Sequence, residues 1–172
     1  IMVKTALFML FRFFFDFFQG ARIEWGVAFL IIGSVSAILG ILYANAERDL
    51  KRLLAYSTVE NVGIITIAFG AGLTLFALGQ ERVALFALAA ALYHLVNHAI
   101  FKSLLFFGAG AVVSATGTRN MEAYGGLLRV MPYTASFFLA GSLAIAALPP
   151  FNGFVSEWLT FQVLFAGVVG AP

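Results

Sequence analysis

Long apolar runs separated by short polar clusters make up almost the whole chain. A membrane-spanning helix needs about 20 mostly apolar residues. The first run, Ile1 to Phe18, is interrupted only by Lys4, Arg12 and Asp16. The second, Trp25 to Ala44, carries no charge, and its Gly33, Ala37 and Gly40 would let a neighbouring helix approach closely. After the polar stretch Ala46-Glu-Arg-Asp-Leu-Lys-Arg52, a third run extends from about Leu53 to Leu78 and contains Glu60 and Asn61. The fourth, Arg82 to about Ala115, carries His94, His98 and Lys102. A helix of that length would be roughly 50 Å long, so it must tilt, kink or protrude from a bilayer.

The fifth run, Tyr133 to Leu148, meets Pro149-Pro150-Phe151-Asn152-Gly153, and Ser156 to Val169 resumes it. Proline removes a backbone donor and clashes with the preceding turn, so Pro149, Pro150 and Gly153 mark a helix break. In a bilayer the freed backbone groups need partners, which restricts such a break to a protein-lined or watery interior. Broken helices of this kind often lie at transport sites. The predicted fold is therefore all-α: a polytopic transmembrane bundle with one discontinuous helix, forming a single domain over residues 1–172.

Five spans with short links put loops 46–52 and 116–130 on one side and loops 19–24 and 79–82 on the other. The first pair holds Arg48, Lys51, Arg52, Arg119 and Arg129; the second holds Arg22 and Arg82, with Arg12 nearby. The excess of basic residues places the first pair in the cytoplasm. The Phe-rich segment 11–18 reads as lipid-facing.

Composition agrees with this picture. Of 172 residues, 62% are hydrophobic and 10% charged, with a mean hydropathy of +1.00. A soluble domain carries about a quarter charged residues, so this composition cannot build a water-facing surface. The net charge of +2 is small and its basic residues are scattered, which argues against nucleic-acid binding. With no cysteine there is no thiolate-held iron–sulfur cluster, zinc-thiolate site or disulfide. Any electrons would have to travel through another subunit, and no cofactor is implied. No signal peptide is recognisable, and the chain reads as a fragment of a longer protein.

Charged groups in hydrocarbon cost a few kcal/mol or more each, so each needs a reason. Lys4, Glu60, the His94/His98/Lys102 set and Glu157 are the cases. Spacings of four and eight place His94, His98 and Lys102 on one helical stripe that drifts about 40° per step. Tyr93 and Asn97 flank the stripe. Imidazoles accept and donate protons, and a desolvated ammonium gives one up more readily than a hydrated one. The set thus supplies the parts of a proton relay. The alternative is two core histidines satisfied by carbonyls beside a snorkelling lysine, and Lys102 lies far from either predicted end of its helix. A zinc site from the two histidines has no nearby carboxylate, and Lys102 would repel the cation. Glu157 follows Gly153 by four residues, where either the helix dipole stabilises it or it accepts protons from the break. Lys4 reads equally as a snorkelling end residue or a buried titrating one. Glu60, with Tyr56 and Ser57 one turn earlier and Asn61 beside it, reads as a hydrogen-bonded structural acid or as the partner of a lysine on another helix.

Three motifs carry a resemblance to a known family. They are Asp49-Leu-Lys-Arg-Leu-Leu-Ala-Tyr-Ser-Thr58, then His94-x3-His98-Ala-x-Phe-Lys102-x-Leu-Leu-Phe, then Leu148-Pro-Pro-x-x-Gly-Phe154 with Glu157 three residues on. In this order they resemble the antiporter-like membrane subunits of respiratory complex I, Mrp-type cation/proton antiporters and membrane-bound hydrogenases. Within the family, Ser57-Thr-Val-Glu60-Asn61-Val-Gly63 and Ala115-Thr-Gly-Thr-Arg119 look most like the large membrane subunit of hydrogenase-4 and formate hydrogenlyase complexes.

The resemblance implies a larger bundle of two inverted repeats, of which this chain covers most of the second. Lys4, in Val3-Lys-Thr-Ala-Leu-Phe, matches the family's central lysine. His94, His98 and Lys102 match its connecting relay, and Glu157 its terminal ionisable residue. The family's upstream carboxylate and lysine lie outside this chain. The implied function is proton translocation in a redox-driven complex of the inner (cytoplasmic) membrane, with Lys4, His94, His98, Lys102 and Glu157 as the relay and Ser57, Glu60, Asn61, Tyr93 and Asn97 as auxiliaries. The implied partners are other membrane subunits, the lipid bilayer and protons. The rivals are a Na+/H+ antiporter or complex I subunit, and a structural scaffold. Any oxidoreductase chemistry would reside in partner subunits.

Overall fold

Short polar signals at their ends turn the apolar runs into helices with defined limits. The computed structural model of the chain describes residues 2–16 and 22–169. In chain order these form α1 (Met2–Asp16), α2 (Ile23–Ala46), α3 (Leu50–Ala77), α4 (Glu81–Thr116), a 3₁₀ turn (Met121–Ala123), the single-turn α5 (Leu127–Val130), α6 (Pro132–Ile145) and α7 (Asn152–Val169). Among the described residues there is no strand, so the fold is all-α. Ile1, Phe17 and Phe18 of the first predicted span, and residues 19–21 of the loop after it, lie outside the described residues.

α2, α3 and α4 are each long and apolar enough to cross a membrane, whereas α6 is a shorter apolar helix. The outer face of α2, with Ile31, Ile32, Val35, Ile38, Leu39 and Leu42, is exposed. An apolar exterior of this kind suits lipid or further membrane helices, and the protein is a multi-pass membrane protein.

Several ends differ from the hydropathy limits for identifiable reasons. Asp49 accepts hydrogen bonds from the backbone N–H of Lys51 and Arg52. This N-cap starts α3 at Leu50, so Lys51 and Arg52 are helical rather than part of a loop. α4 runs unbroken for 36 residues and stops where Gly117 adopts a left-handed conformation, φ 69°. That makes it about 54 Å long, so it tilts or protrudes rather than kinks. α6 ends at Ile145, before the apolar run does, and residues 146–151 turn the chain with a cis Pro149–Pro150 peptide. α7 begins at Asn152, which puts Glu157 in the second helical turn, beyond the strongest influence of the dipole.

Helix α3 is the centre of the packing, with α2 on one side and α4 and α7 on the other. The α2–α3 contact is a seam of glycines. A Cβ on Gly33 would lie 2.8 Å from the carbonyl oxygen of Gly63, and one on Gly63 would lie 2.6 Å from the backbone nitrogen of Ala37. The two backbones therefore touch, as the small residues of the second run anticipated. Phe11 and Phe14 correct the lipid-facing expectation for their part of the Phe-rich segment. Phe11 is buried and stacks on Phe69 at 4.3 Å between ring centroids, and Phe14 packs edge-on against Trp25, Phe29 and Phe69. Leu7, Phe11 and Phe14 recur at helical spacing and share one face, which faces α3. Phe13, off that face, is exposed.

The loops after α2 and α4 meet at one end of the bundle. Asp49 bridges Asn120, the N–H of Leu50 donates to the carbonyl of Arg119, and Arg48 pairs with Glu122 at 3.1 Å. The pair is exposed and contributes little energy. The backbone bonds fix both loops on the same side.

Candidate functional site

One stripe of α4 is buried from end to end: Ala84, Ala87, Ala91, His94, His98, Lys102, Leu105, Ala109 and Val112 recur at three- and four-residue steps. The small residues bring α4 close to its neighbours. The polar ones are thereby placed between α3 and α7, with His94 and His98 fully buried and Lys102 2% exposed. Burying such groups is costly unless each finds a partner.

Lys102 finds its partners on α3. Its Nζ donates to the carbonyl oxygen of Leu54 at 2.9 Å and forms a short hydrogen bond to the Ser57 hydroxyl. Leu54 and Ser57 lie one turn apart on the buried face of α3, and Asn61 continues that face. The Asn61 amide nitrogen donates to the carbonyl of Ser57 at 2.9 Å. This turns the Asn61 side-chain oxygen toward Nε2 of His94, 3.2 Å away. The other ring nitrogen, Nδ1, lies 2.8 Å from the hydroxyl of Ser156 on α7. Lys102, Ser57, Asn61, His94 and Ser156 thus form one cross-helix network linking α4 to α3 and to the resumed half of the broken helix.

A second bond ties α4 to the break. Asn97 donates to the backbone carbonyl of Asn152 at 3.0 Å, and Asn152 donates to the side-chain oxygen of Asn97 at 3.1 Å. This reciprocal pair anchors the first residue of α7 beside the break.

The remaining predicted residues fall as follows. The His94 and His98 rings are parallel, with centroids 6.4 Å apart. Among the described residues neither ring nitrogen of His98 has a hydrogen-bond partner. Lys4 is half-buried on α1 and shares an open cleft of about 760 Å³ with Lys102, lined also by Thr58 and Ser103. Glu60 is half-buried and lines a cavity of about 370 Å³ together with Asn45, Ser57 and Ser142, reaching the level of Leu50 and Met121. Glu157 is half-buried one residue from Ser156. Tyr93 points to the outer face of α4, away from the network, 40% exposed.

Sequence reasoning assigned no role to Ser156 or Asn152. A hydroxyl and an amide in the first two turns after a Pro-Pro break were the only signal. Their facing residues on α4, separated by 55 and 62 positions, were not readable.

Membrane-length helices, a broken helix and a buried Lys/His/Asn/Ser network between them define a class: a polytopic membrane helix bundle with ionisable residues in its core. The chain matches, over residues 1–170, the transmembrane family described as NADH:quinone oxidoreductase/Mrp antiporter. It belongs to that family. It is 49% identical over 168 residues to hydrogenase-4 component B of Escherichia coli strain K12, covering 96% of this chain and 25% of that protein. It is 48% identical over 145 residues to formate hydrogenlyase subunit 3 of the same strain, covering 84% of this chain and 24% of that protein. With a Na(+)/H(+) antiporter subunit of Bacillus subtilis strain 168 it shares 37% identity over 160 residues, 93% of this chain and 20% of that protein. The hydrogenase-type resemblance read from the motifs is therefore borne out. The chain spans a quarter or less of the length of these relatives.

Proposed function

We propose that this chain is part of a proton-translocating membrane subunit of a redox-driven complex of hydrogenase-4 or formate hydrogenlyase type. The observation that carries the reading is Lys102: a lysine 2% exposed in the middle of a 36-residue membrane helix, held by a carbonyl and a hydroxyl. A lysine placed there is far from either end of its helix, where it could snorkel, and intramembrane ionisable groups mark ion pathways. Lys4 faces it across the shared cleft, hydrogen bonds through Ser57 and Asn61 fix His94 relative to it, and Glu157 stands beside Ser156 on the broken helix. His98 holds hydrogen-bonding capacity that no described residue uses. A change of one pKa unit in any of these groups represents about 1.4 kcal/mol, so a few coordinated changes store useful work. The redox reaction that drives them belongs to partner subunits of the same membrane complex. The reading places the protein in the cytoplasmic membrane, with the loops joined by Asp49 and Asn120 on the cytoplasmic side.

Sodium is the second reading, favoured by the relatives that carry the name of Na(+)/H(+) antiporter subunits. The half-buried carboxylates Glu60 and Glu157 would be its ligands. Proton uptake by vesicles holding the intact complex, driven by its redox reaction, separates the two. The proton reading expects uptake that persists in sodium-free buffer and is lost in Lys102→Met. Uptake that rises with sodium concentration, or that Lys102→Met leaves intact, contradicts it.

A further inference from the structure

His94 is enclosed asymmetrically. The Asn61 amide nitrogen is committed to the Ser57 carbonyl, so the group facing Nε2 of His94 is an amide oxygen, which only accepts. Nε2 must therefore carry a hydrogen. In the neutral ring Nδ1 is then the acceptor, and its partner is the Ser156 hydroxyl, a group able both to donate and to accept. Ser156 has an alternative acceptor in the Gly153 carbonyl oxygen, 3.0 Å away in the first turn after the break.

We propose that His94 gains and loses its exchangeable proton at Nδ1 alone, and that the Ser156 hydroxyl is the group that hands this proton on. With the ring neutral, Ser156 donates to Nδ1. When the relay adds a proton, Ser156 passes its hydroxyl proton to Nδ1 and takes one from a hydronium ion on the side of the break: the serine O–H bond breaks as the N–H bond forms, and the hydronium O–H bond breaks as the serine's reforms, leaving water, with the hydroxyl then donating to Gly153 and accepting from Nδ1. Each state keeps every hydrogen bond satisfied. Nε2 stays on an amide oxygen that carries no proton, so His94 is loaded and emptied from the side of the helix break and does not pass protons straight through its ring to Asn61.

The inference rests on the proton-translocation reading, so its test runs beside Lys102→Met in the same vesicles. Protons taken up per electron transferred, and the abundance of the protein in the membrane, are measured for Ser156→Ala and Ser156→Thr. The proposal expects a tenfold or greater loss of uptake in Ser156→Ala at normal abundance, with recovery of most of it in Ser156→Thr, which restores a hydroxyl. Normal uptake in Ser156→Ala, or equal loss in both variants, overturns it, because the hydroxyl would then not matter. If Ser156→Ala fails to assemble, Ser156→Cys, which keeps the volume but weakens the donor, is read by the same criterion. Normal uptake in Lys102→Met removes the functional reading itself; loss there with normal uptake in Ser156→Ala removes only this inference.

Discussion

The glycine seam between α2 and α3 gives a prediction whose size can be worked from distances. In Gly63→Ala the new methyl carbon would lie 2.6 Å from both the Ala37 nitrogen and the Gly33 carbonyl oxygen and 2.9 Å from the Ala37 Cα. Ordinary contact begins at 3.4 Å, so α2 must retreat from α3 by most of an ångström. The obstructing atoms are backbone, which cannot rotate aside. Retreat also opens the neighbouring contact at Gly40, where a Cβ would stand 2.5 Å from the Glu60 nitrogen. Overpacking of this kind costs about 1–3 kcal/mol. Gly110→Ala is the matched control, because among the described residues a Cβ there meets nothing within 4 Å; removing a mid-helix glycine there should be neutral or stabilising by up to about 1 kcal/mol. The assay is the thermal midpoint at which the detergent-solubilised complex loses its native size-exclusion peak. The expected order is Gly63→Ala below wild type and Gly110→Ala at or above it. Equal midpoints for the two alanine variants would refute the claim that backbone contact closes this interface.

Two further outcomes follow from the hydrogen bonds. Asp49→Ala removes the acceptor of the Lys51 and Arg52 N–H groups and should cost about 1 kcal/mol, read as faster proteolysis of the 46–50 loop in membranes with little change in redox turnover. A double-mutant cycle of Asn97→Ala and Asn152→Ala should show a favourable coupling of about 0.6–1.7 kcal/mol in thermal stability; additive single effects would mean that the pair does not anchor the break.

How much was legible in the sequence depended on the range of the interaction. The spans, the Pro-Pro break and the buried His94/His98/Lys102 stripe are written in hydropathy and in helical spacing, both local properties. Helix ends were less legible: the α3 start turned on one capping side chain, Asp49, inside a run that hydropathy counts as polar. The burial of Phe11 and Phe14 was hidden because lipid and protein cores select the same side chains. The partners of the stripe were hidden for a different reason. Spacing along α4 says that three groups share a face, but it does not say that α3 lies against that face. Only the tertiary packing puts Ser57 on Lys102 and Asn61 on His94, and so ties the two α4 groups together through hydrogen bonds on another helix. Ser156 was invisible on the same ground, being a common residue made special by what stands opposite it.

Everything proposed for the buried network turns on whether Lys102 carries protons or only locks helices together. The measurement is protons taken up per electron transferred by vesicles of the intact complex, wild type against Lys102→Met, with the abundance of the protein checked in the same membranes. A proton-carrying Lys102 gives normal abundance with uptake lost. An unchanged ratio in Lys102→Met at normal abundance would contradict that role and leave the buried network a structural lock.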